Sequence, residues 1–149
     1  MKKSKVIMMF GLLVLVGLMS SCDSGKKYQI NDTQDWIDFV ASAPEIKEID
    51  ECFMSMTPKQ TIYIFEEMVP MLNNLTTTDP KAKAKCRAFL WLNVGVAIHK
   101  DRYTNEEFDY MDSYTGYGTA RYVCVANLGS DEGNKIIERY GKYYYEGKY

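Results

Sequence analysis

Between Ala88 and Ile98 the chain reads Ala-Phe-Leu-Trp-Leu-Asn-Val-Gly-Val-Ala-Ile, apolar on nearly every side of a helix. A helix with no polar face has to be covered on all sides by other elements. The run is also too short for a membrane span, which needs roughly 20 such residues. A short apolar run can equally be a buried strand. Here the flanking alanines and lysines (Lys81, Lys83, Ala84, Lys85) and the lack of a partner strand select a helix. The chain is therefore expected to build its other helices around residues 81–98.

The rest of the sequence supplies them, separated by clear punctuation. Asn31-Asp32-Thr33 offers side-chain caps, followed by Trp36, Ile37, Phe39 and Val40. A second helix is expected from Pro44, with Ile46, Ile49, Phe53 and Met54 on one stripe. Thr57-Pro58 is a cap followed by a proline at the first helical position. The helix it opens carries Ile62, Phe65, Met68, Val69, Leu72 and Leu75, and Thr76 to Pro80 stops it. Thr104-Asn-Glu-Glu107 is a capping box. Gly116-Tyr-Gly118 is expected to break or bend that helix, Arg121 to Leu128 to continue it, and Gly129-Ser130 to end it. Residues 131–146 form a last helix with Ile136, Ile137, Tyr140 and Tyr144. The fold class is all-α: a small bundle of five to seven helices over residues 31–149, one domain with short loops.

The N-terminus has a different character. Lys2, Lys3 and Lys5 precede a 14-residue apolar run, Val6 to Met19, broken by Gly11 and Gly17. A positive start, a short apolar stretch and small residues make an export signal. Ordinary cleavage before Cys22 wants a small residue three positions back, where Met19 stands. Met19-Ser20-Ser21-Cys22 instead resembles the lipobox of bacterial lipoproteins, a large aliphatic residue, two small ones and a cysteine, although the family usually has Leu first. The resemblance covers only about the first 25 residues. It implies that residues 1–21 are removed and that Cys22 carries a thioether-linked diacylglycerol, the only covalent group expected. Each buried CH₂ of such chains contributes about 0.8 kcal/mol, so two chains anchor firmly. Residues 22–30 then form the lipidated start and a polar tether. The alternatives are an uncleaved membrane helix and a soluble exported protein cut near Cys22. Asp23 resembles an inner-membrane retention signal in some bacteria; the resemblance leaves the display face of the envelope open.

Removal of Lys2, Lys3 and Lys5 from the 18 basic residues leaves 15 against 20 acidic ones, a net charge of about −5. With no basic patch of interleaved aromatics, this argues against a nucleic-acid partner. Catalytic patterns are also missing. The one histidine, His99, ends the apolar helix, where a cap stabilised by the helix dipole is the ordinary role. Asp101 is near in sequence, but nothing fixes its position. Glu66-Glu67 and Glu106-Glu107 are adjacent and diverge on a helix, so neither forms the facing pair of a glycosidase. Asp109 and Asp112 lack the alternating oxygens of a calcium loop. Cys52, Cys86 and Cys124 are 34 and 38 residues apart, so no zinc or redox motif exists. Their apolar neighbours favour buried thiols over one disulfide with a thiol left over. Met54 and Met56, beside Cys52, hint at copper, but residues two apart on a helix face opposite ways. No metal and no noncovalent cofactor is expected.

What remains is tyrosine. Ten of the 12 lie from Tyr103 onward. Tyr103, Tyr110, Tyr114 and Tyr117 are spaced by 7, 4 and 3, one helical stripe, and Arg121 extends it. Such a stripe serves either as a packing seam or as a recognition surface, since Tyr and Arg are enriched at interfaces. The expectation is a non-enzymatic binding lipoprotein of the bacterial cell envelope, held to membrane lipid by its anchor and to a protein partner by this stripe. An inhibitor or immunity protein against a secreted toxin is one form, and an accessory subunit of an envelope complex another. The alternative is a carbohydrate-handling accessory lipoprotein or a hydrolase of unfamiliar type, which needs a concave site and a convergent carboxylate such as Glu107.

Overall fold

The computed structural model describes residues 28–42, 45–115 and 117–146, the side chains at 113–115 excepted. Residues 1–27, with the expected export signal and Cys22, lie outside the described residues, as do Pro44 and Gly116. Among those described the helices are α1 (Thr33–Ser42), α2 (Ile46–Ser55), α3 (Pro58–Asn73), α4 (Ala82–Ile98), α5 (Asn105–Thr115), α6 (Tyr117–Leu128) and α7 (Ser130–Glu146). One 3₁₀ turn, Lys100–Arg102, joins α4 to α5. The chain is an all-α bundle, and no strand occurs among the described residues.

The apolar run makes α4 the axis of that bundle. It packs against α1, α2, α3, α6 and α7. Every residue from Ala88 to Val96 is buried, as is Cys86. A large apolar side chain taken fully from water contributes about 1.5–3 kcal/mol, so this one segment carries much of the drive to fold. Asn93 Nδ2 donates to the carbonyl of Phe89 at 3.0 Å, whereas the buried Trp91 indole N–H makes no hydrogen bond. The buried Trp36 of α1 donates its indole N–H to the carbonyl of Ala88 at 3.1 Å. No helix among the described residues is long and apolar enough to cross a membrane.

Caps set the surrounding helices. Thr57 and Gln60 form a reciprocal capping box at α3, with bonds of 3.2 and 2.8 Å and Pro58 in the first turn. Thr104 and Glu107 do the same at α5, at 3.1 and 2.9 Å. At α1 the cap is Asp32, which accepts from the Asp35 amide at 2.8 Å. Thr33 is already inside the helix and buried, and its hydroxyl donates to Glu67 of α3. The second helix starts at Ile46, and Met54, expected on its apolar stripe, is exposed. Leu75 falls beyond the end of α3. Between α6 and α7, Gly129 takes φ 83°, the left-handed conformation that lets a helix end within one residue.

Close approach to α4 depends on Gly95. A Cβ built there lies 2.7 Å from the Phe53 ring of α2, well inside contact distance. Gly95→Ala is expected to destabilise the fold by about 1–3 kcal/mol, the usual penalty of overpacking. Thermal unfolding by circular dichroism should show a melting temperature lower by roughly 3–10 °C. An unchanged midpoint would show that α2 can shift freely on α4.

Candidate functional site

α6 and α7 run back from Gly129 in contact along their length, and their far ends bring together one cluster of aromatics. Tyr117, the first residue of α6, is buried. Its ring stacks on Tyr144 of α7 with centroids 4.1 Å apart and planes at 12°. Tyr145 stands edge-on to both, at 5.9 Å from Tyr117 and 5.4 Å from Tyr144, each at 89°. Offset-stacked and T-shaped contacts of this kind are worth about 0.5–1.5 kcal/mol beyond burial. Gly141 makes the stack possible, because a Cβ there would lie 2.6 Å from the Tyr117 hydroxyl.

Arg121 lies one turn beyond Tyr117. Its guanidinium carbon sits 5.9 Å from the centroid of the Tyr117 ring. Its Nη1 donates to the Tyr145 hydroxyl at 3.3 Å. The outer layer of the cluster is open: Tyr145 is 70% exposed, and Tyr122, next to Arg121, is 74% exposed. A stacked pair, Tyr117 buried and Tyr144 half-buried, thus supports an exposed arginine and an exposed tyrosine. Burial pushes the Tyr117 phenol up to about 12, with Arg121 opposing the shift. Burial, and then the Asp112 charge, also raise Tyr144.

The sequence stripe divides among several environments. Tyr103 precedes α5 and is buried, and burial raises its phenol. Tyr110 is 40% exposed, and its hydroxyl donates to Glu66 Oε1 of α3 at 2.8 Å. Tyr114 belongs to α5, but its side chain lies outside the described residues. Tyr117 and Arg121 are on α6. Of the five, only these last two are joined by a described contact. The stripe fails as one surface because α5 ends at Thr115 and a new helix begins at Tyr117. The partner that completes the site, Tyr145, comes from α7, and sequence spacing gives no sign of a cross-helix contact. The crowding of tyrosines at the end of the chain was the available clue.

The acidic residues are engaged elsewhere. Glu107 closes the α5 capping box and does not converge on a cleft. Glu66 takes the Tyr110 hydroxyl. Glu67 accepts from Thr33 and Tyr63, and these bonds hold its carboxyl below its ordinary range. A small pocket of about 20 Å³ lies beside Tyr144, lined by Phe65, Asn93, Phe108, Met111 and Asp112 among others, with the exposed Asp112 at the rim.

One pairing was not visible in the sequence. His99 Nε2 meets Asp50 Oδ1 at 2.8 Å, and Phe53 stacks on the imidazole at 5.9 Å and 19°. Asp50, not Asp101, is the partner; it lies 49 residues away on α2 and is buried. General base catalysis also needs a nucleophile whose proton the imidazole can take. The thiol two residues along, Cys52, is pushed up to about 12 by burial, which leaves it neutral and unreactive at ordinary pH. The pair therefore ties α2 to the end of α4.

Cys52, Cys86 and Cys124 are free and buried. Cys124 Sγ donates to the carbonyl of Cys86 at 3.7 Å. Met56 is buried and Met54 exposed, so the two do not share a site. Among the described residues no group of three or more His, Cys, Asp or Glu is placed to hold a metal ion. Compared with protein-family models, curated proteins and solved structures, the chain matches none.

The Tyr117 hydroxyl is buried without a hydrogen-bond partner, so removing it costs little. Tyr117→Phe is expected to keep neutral-pH stability within about 0.5 kcal/mol or raise it. A phenol whose folded pKa is raised contributes stability below its unfolded pKa and loses it as pH rises. For Tyr117 that window runs from 10 to about 12. Urea unfolding at pH 8 and pH 11 should therefore show a smaller alkaline loss in Tyr117→Phe than in wild type. Equal losses would refute the assignment.

Proposed function

We propose that the chain is a lipid-anchored protein of the bacterial cell envelope whose helical domain holds a protein partner through the α6–α7 aromatic face. It carries out no chemistry of its own. The observation behind this reading is the exposed Tyr145 and Arg121 held on the stack of buried Tyr117 and half-buried Tyr144. Tyrosine and arginine are the residue types most often responsible for binding energy at protein interfaces. A side chain already fixed before binding loses less entropy on association. The anchor reading rests on the lipobox-like Met19-Ser20-Ser21-Cys22. An inhibitor or immunity protein, or an accessory subunit of an envelope complex, fits such a tethered, non-catalytic module. The second reading, a carbohydrate-handling protein or hydrolase, draws on the pocket beside Tyr144 with Asp112 at its rim.

Two experiments test the two halves. Cys22→Ser should move the protein from the membrane fraction to the soluble fraction and abolish acyl labelling. Retention in the membrane with no label would refute the lipid anchor. A photoreactive residue at position 122 or 145, used in cells, should give one discrete protein adduct. The same probe at exposed Tyr63 on α3 should not, and Arg121→Ala should abolish the adduct from position 122. Adducts that are equal at all three positions, or indifferent to Arg121, would refute the interface. Protection of the pocket by an oligosaccharide would favour the second reading.

A further inference from the structure

Two of the three buried cysteines meet where α4 packs on α6. Cys86 and Cys124 are both fully enclosed, and both thiols are free in this structure. The Cys124 thiol reaches the α4 backbone itself, donating to the Cys86 carbonyl at 3.7 Å. The sulfurs also act on one another: the bond between the two thiols raises Cys124 and lowers Cys86. Small residues allow this approach. Ala82 stands one turn before Cys86 and Ala120 one turn before Cys124, and both are buried. Residues four apart share a helix face, so each helix presents a narrow surface to the other at this joint. Cys52 stands apart on α2, where its thiol bonds Ser55.

Apolar surroundings taken alone favour free thiols, because a buried cysteine behaves as a small hydrophobe. Mutual contact changes that balance. A thiol is a weak donor, so its bond to a helix carbonyl secures little. Three cysteines permit three pairings, and only Cys86 with Cys124 joins two that touch among the described residues. The same joint lies under the aromatic face. Tyr117, Arg121 and Cys124 follow one another on α6 at spacings of 4 and 3, so a bond at Cys124 would fix the helix that carries the face.

We propose that Cys86 and Cys124 form a disulfide that ties α6 to α4 and leaves Cys52 as a free thiol. That the bond forms in the cell rests on the export reading, since disulfides persist in oxidising compartments. The step is thiol–disulfide exchange with a disulfide-bearing oxidant. One cysteine thiolate attacks a sulfur of the oxidant and displaces a thiolate; the second cysteine thiolate then attacks the mixed disulfide and displaces the other. Two protein S–H bonds and the oxidant's S–S bond are exchanged for one protein S–S bond and two thiols on the oxidant, which takes up two electrons and two protons. Because both sulfurs are buried, the exchange belongs to the open chain, before α4 is enclosed.

The test needs no variant. Cells making the full chain are quenched in acid, and thiols are blocked with N-ethylmaleimide in denaturant. After reduction the released thiols take iodoacetamide, and mass spectrometry locates both labels. Cys52 should carry the first label, and Cys86 and Cys124 the second. Dithiothreitol should then lower the melting temperature of the purified full chain by roughly 5–15 °C. If the pair is reduced in cells, a second arm separates the bond from the compartment. The full chain in neutral maltoside detergent is equilibrated with reduced and oxidised glutathione at its urea midpoint, where it opens and recloses. Loop closure alone slightly favours 52–86, at 34 residues, over 86–124, at 38, so a roughly tenfold or greater excess of 86–124 marks the native contact. That excess, with reduced thiols in cells, would uphold the pair and refute the export reading. Reduced thiols in cells with no such excess, or a cellular bond that includes Cys52, would overturn the proposal.

Discussion

α4 has no side that water can touch over the nine residues from Ala88 to Val96, and the remaining architecture follows from that. A helix of this kind cannot sit at the edge of a bundle. It has to be enclosed, and five other helices reach it. Enclosure limits what α4 itself can carry. Its buried side-chain amide, Asn93, bonds back to its own helix, and its carbonyls at Ala88 and Cys86 accept from the Trp36 indole and the Cys124 thiol of neighbouring helices. Buried polar groups in such a core are mostly matched in this way, the Trp91 indole N–H being an exception. Neighbours then come close where α4 is small. Phe53 lies against Gly95, where any larger residue would collide.

Polar chemistry is consequently displaced to the two ends of α4 and to the outer helices. At the N-terminal end Lys85 is answered by Asp79 at 2.6 Å, and Lys83 by Glu132. The cations are held there by acidic residues from the preceding loop and from α7. At the C-terminal end His99 is answered by the buried Asp50 of α2. A carboxylate that deep is expensive unless it is hydrogen-bonded, so the imidazole is as necessary to Asp50 as the reverse. A histidine locked in that way fastens α2 to the end of α4.

The parts of this fold that local sequence determines were legible in it. Thr57-Pro58 and Thr104 to Glu107 end as the caps their side chains predict, because a cap is made within four residues. The all-round apolar run was legible because burial on every side leaves no periodicity to misread. The tyrosine stripe was not, because spacing of 7, 4 and 3 describes one continuous helix and the chain makes two. The change of helix after Thr115 re-aims Tyr117 into the core, while Tyr103, before α5, is buried and Tyr110 bonds to Glu66. The pairing of His99 with Asp50, the contact of Arg121 with Tyr145 and the bond of Lys83 to Glu132 are all products of tertiary packing. Their partners stand 49, 24 and 49 residues apart. No pattern within a single helix encodes such contacts.

The divided stripe changes what the aromatic corner can do. A row of exposed tyrosines would be a broad, mobile surface, and scattered exposed aromatics are common enough to need no function. Here the rings do different work. Tyr117 and Tyr144 are fixed by stacking and by the close approach of Gly141, so the layer beneath is rigid. Arg121 is held over that layer by one ring and joined to the hydroxyl of another. Its long side chain would otherwise lose about 1.5–2 kcal/mol of rotamer freedom on being ordered by a partner. Part of that ordering is already complete in the free protein. An exposed arginine and tyrosine set in advance on a stacked base have the physical form of a binding hot spot, and that base draws Tyr117 into the core and Tyr144 half-way from the surface.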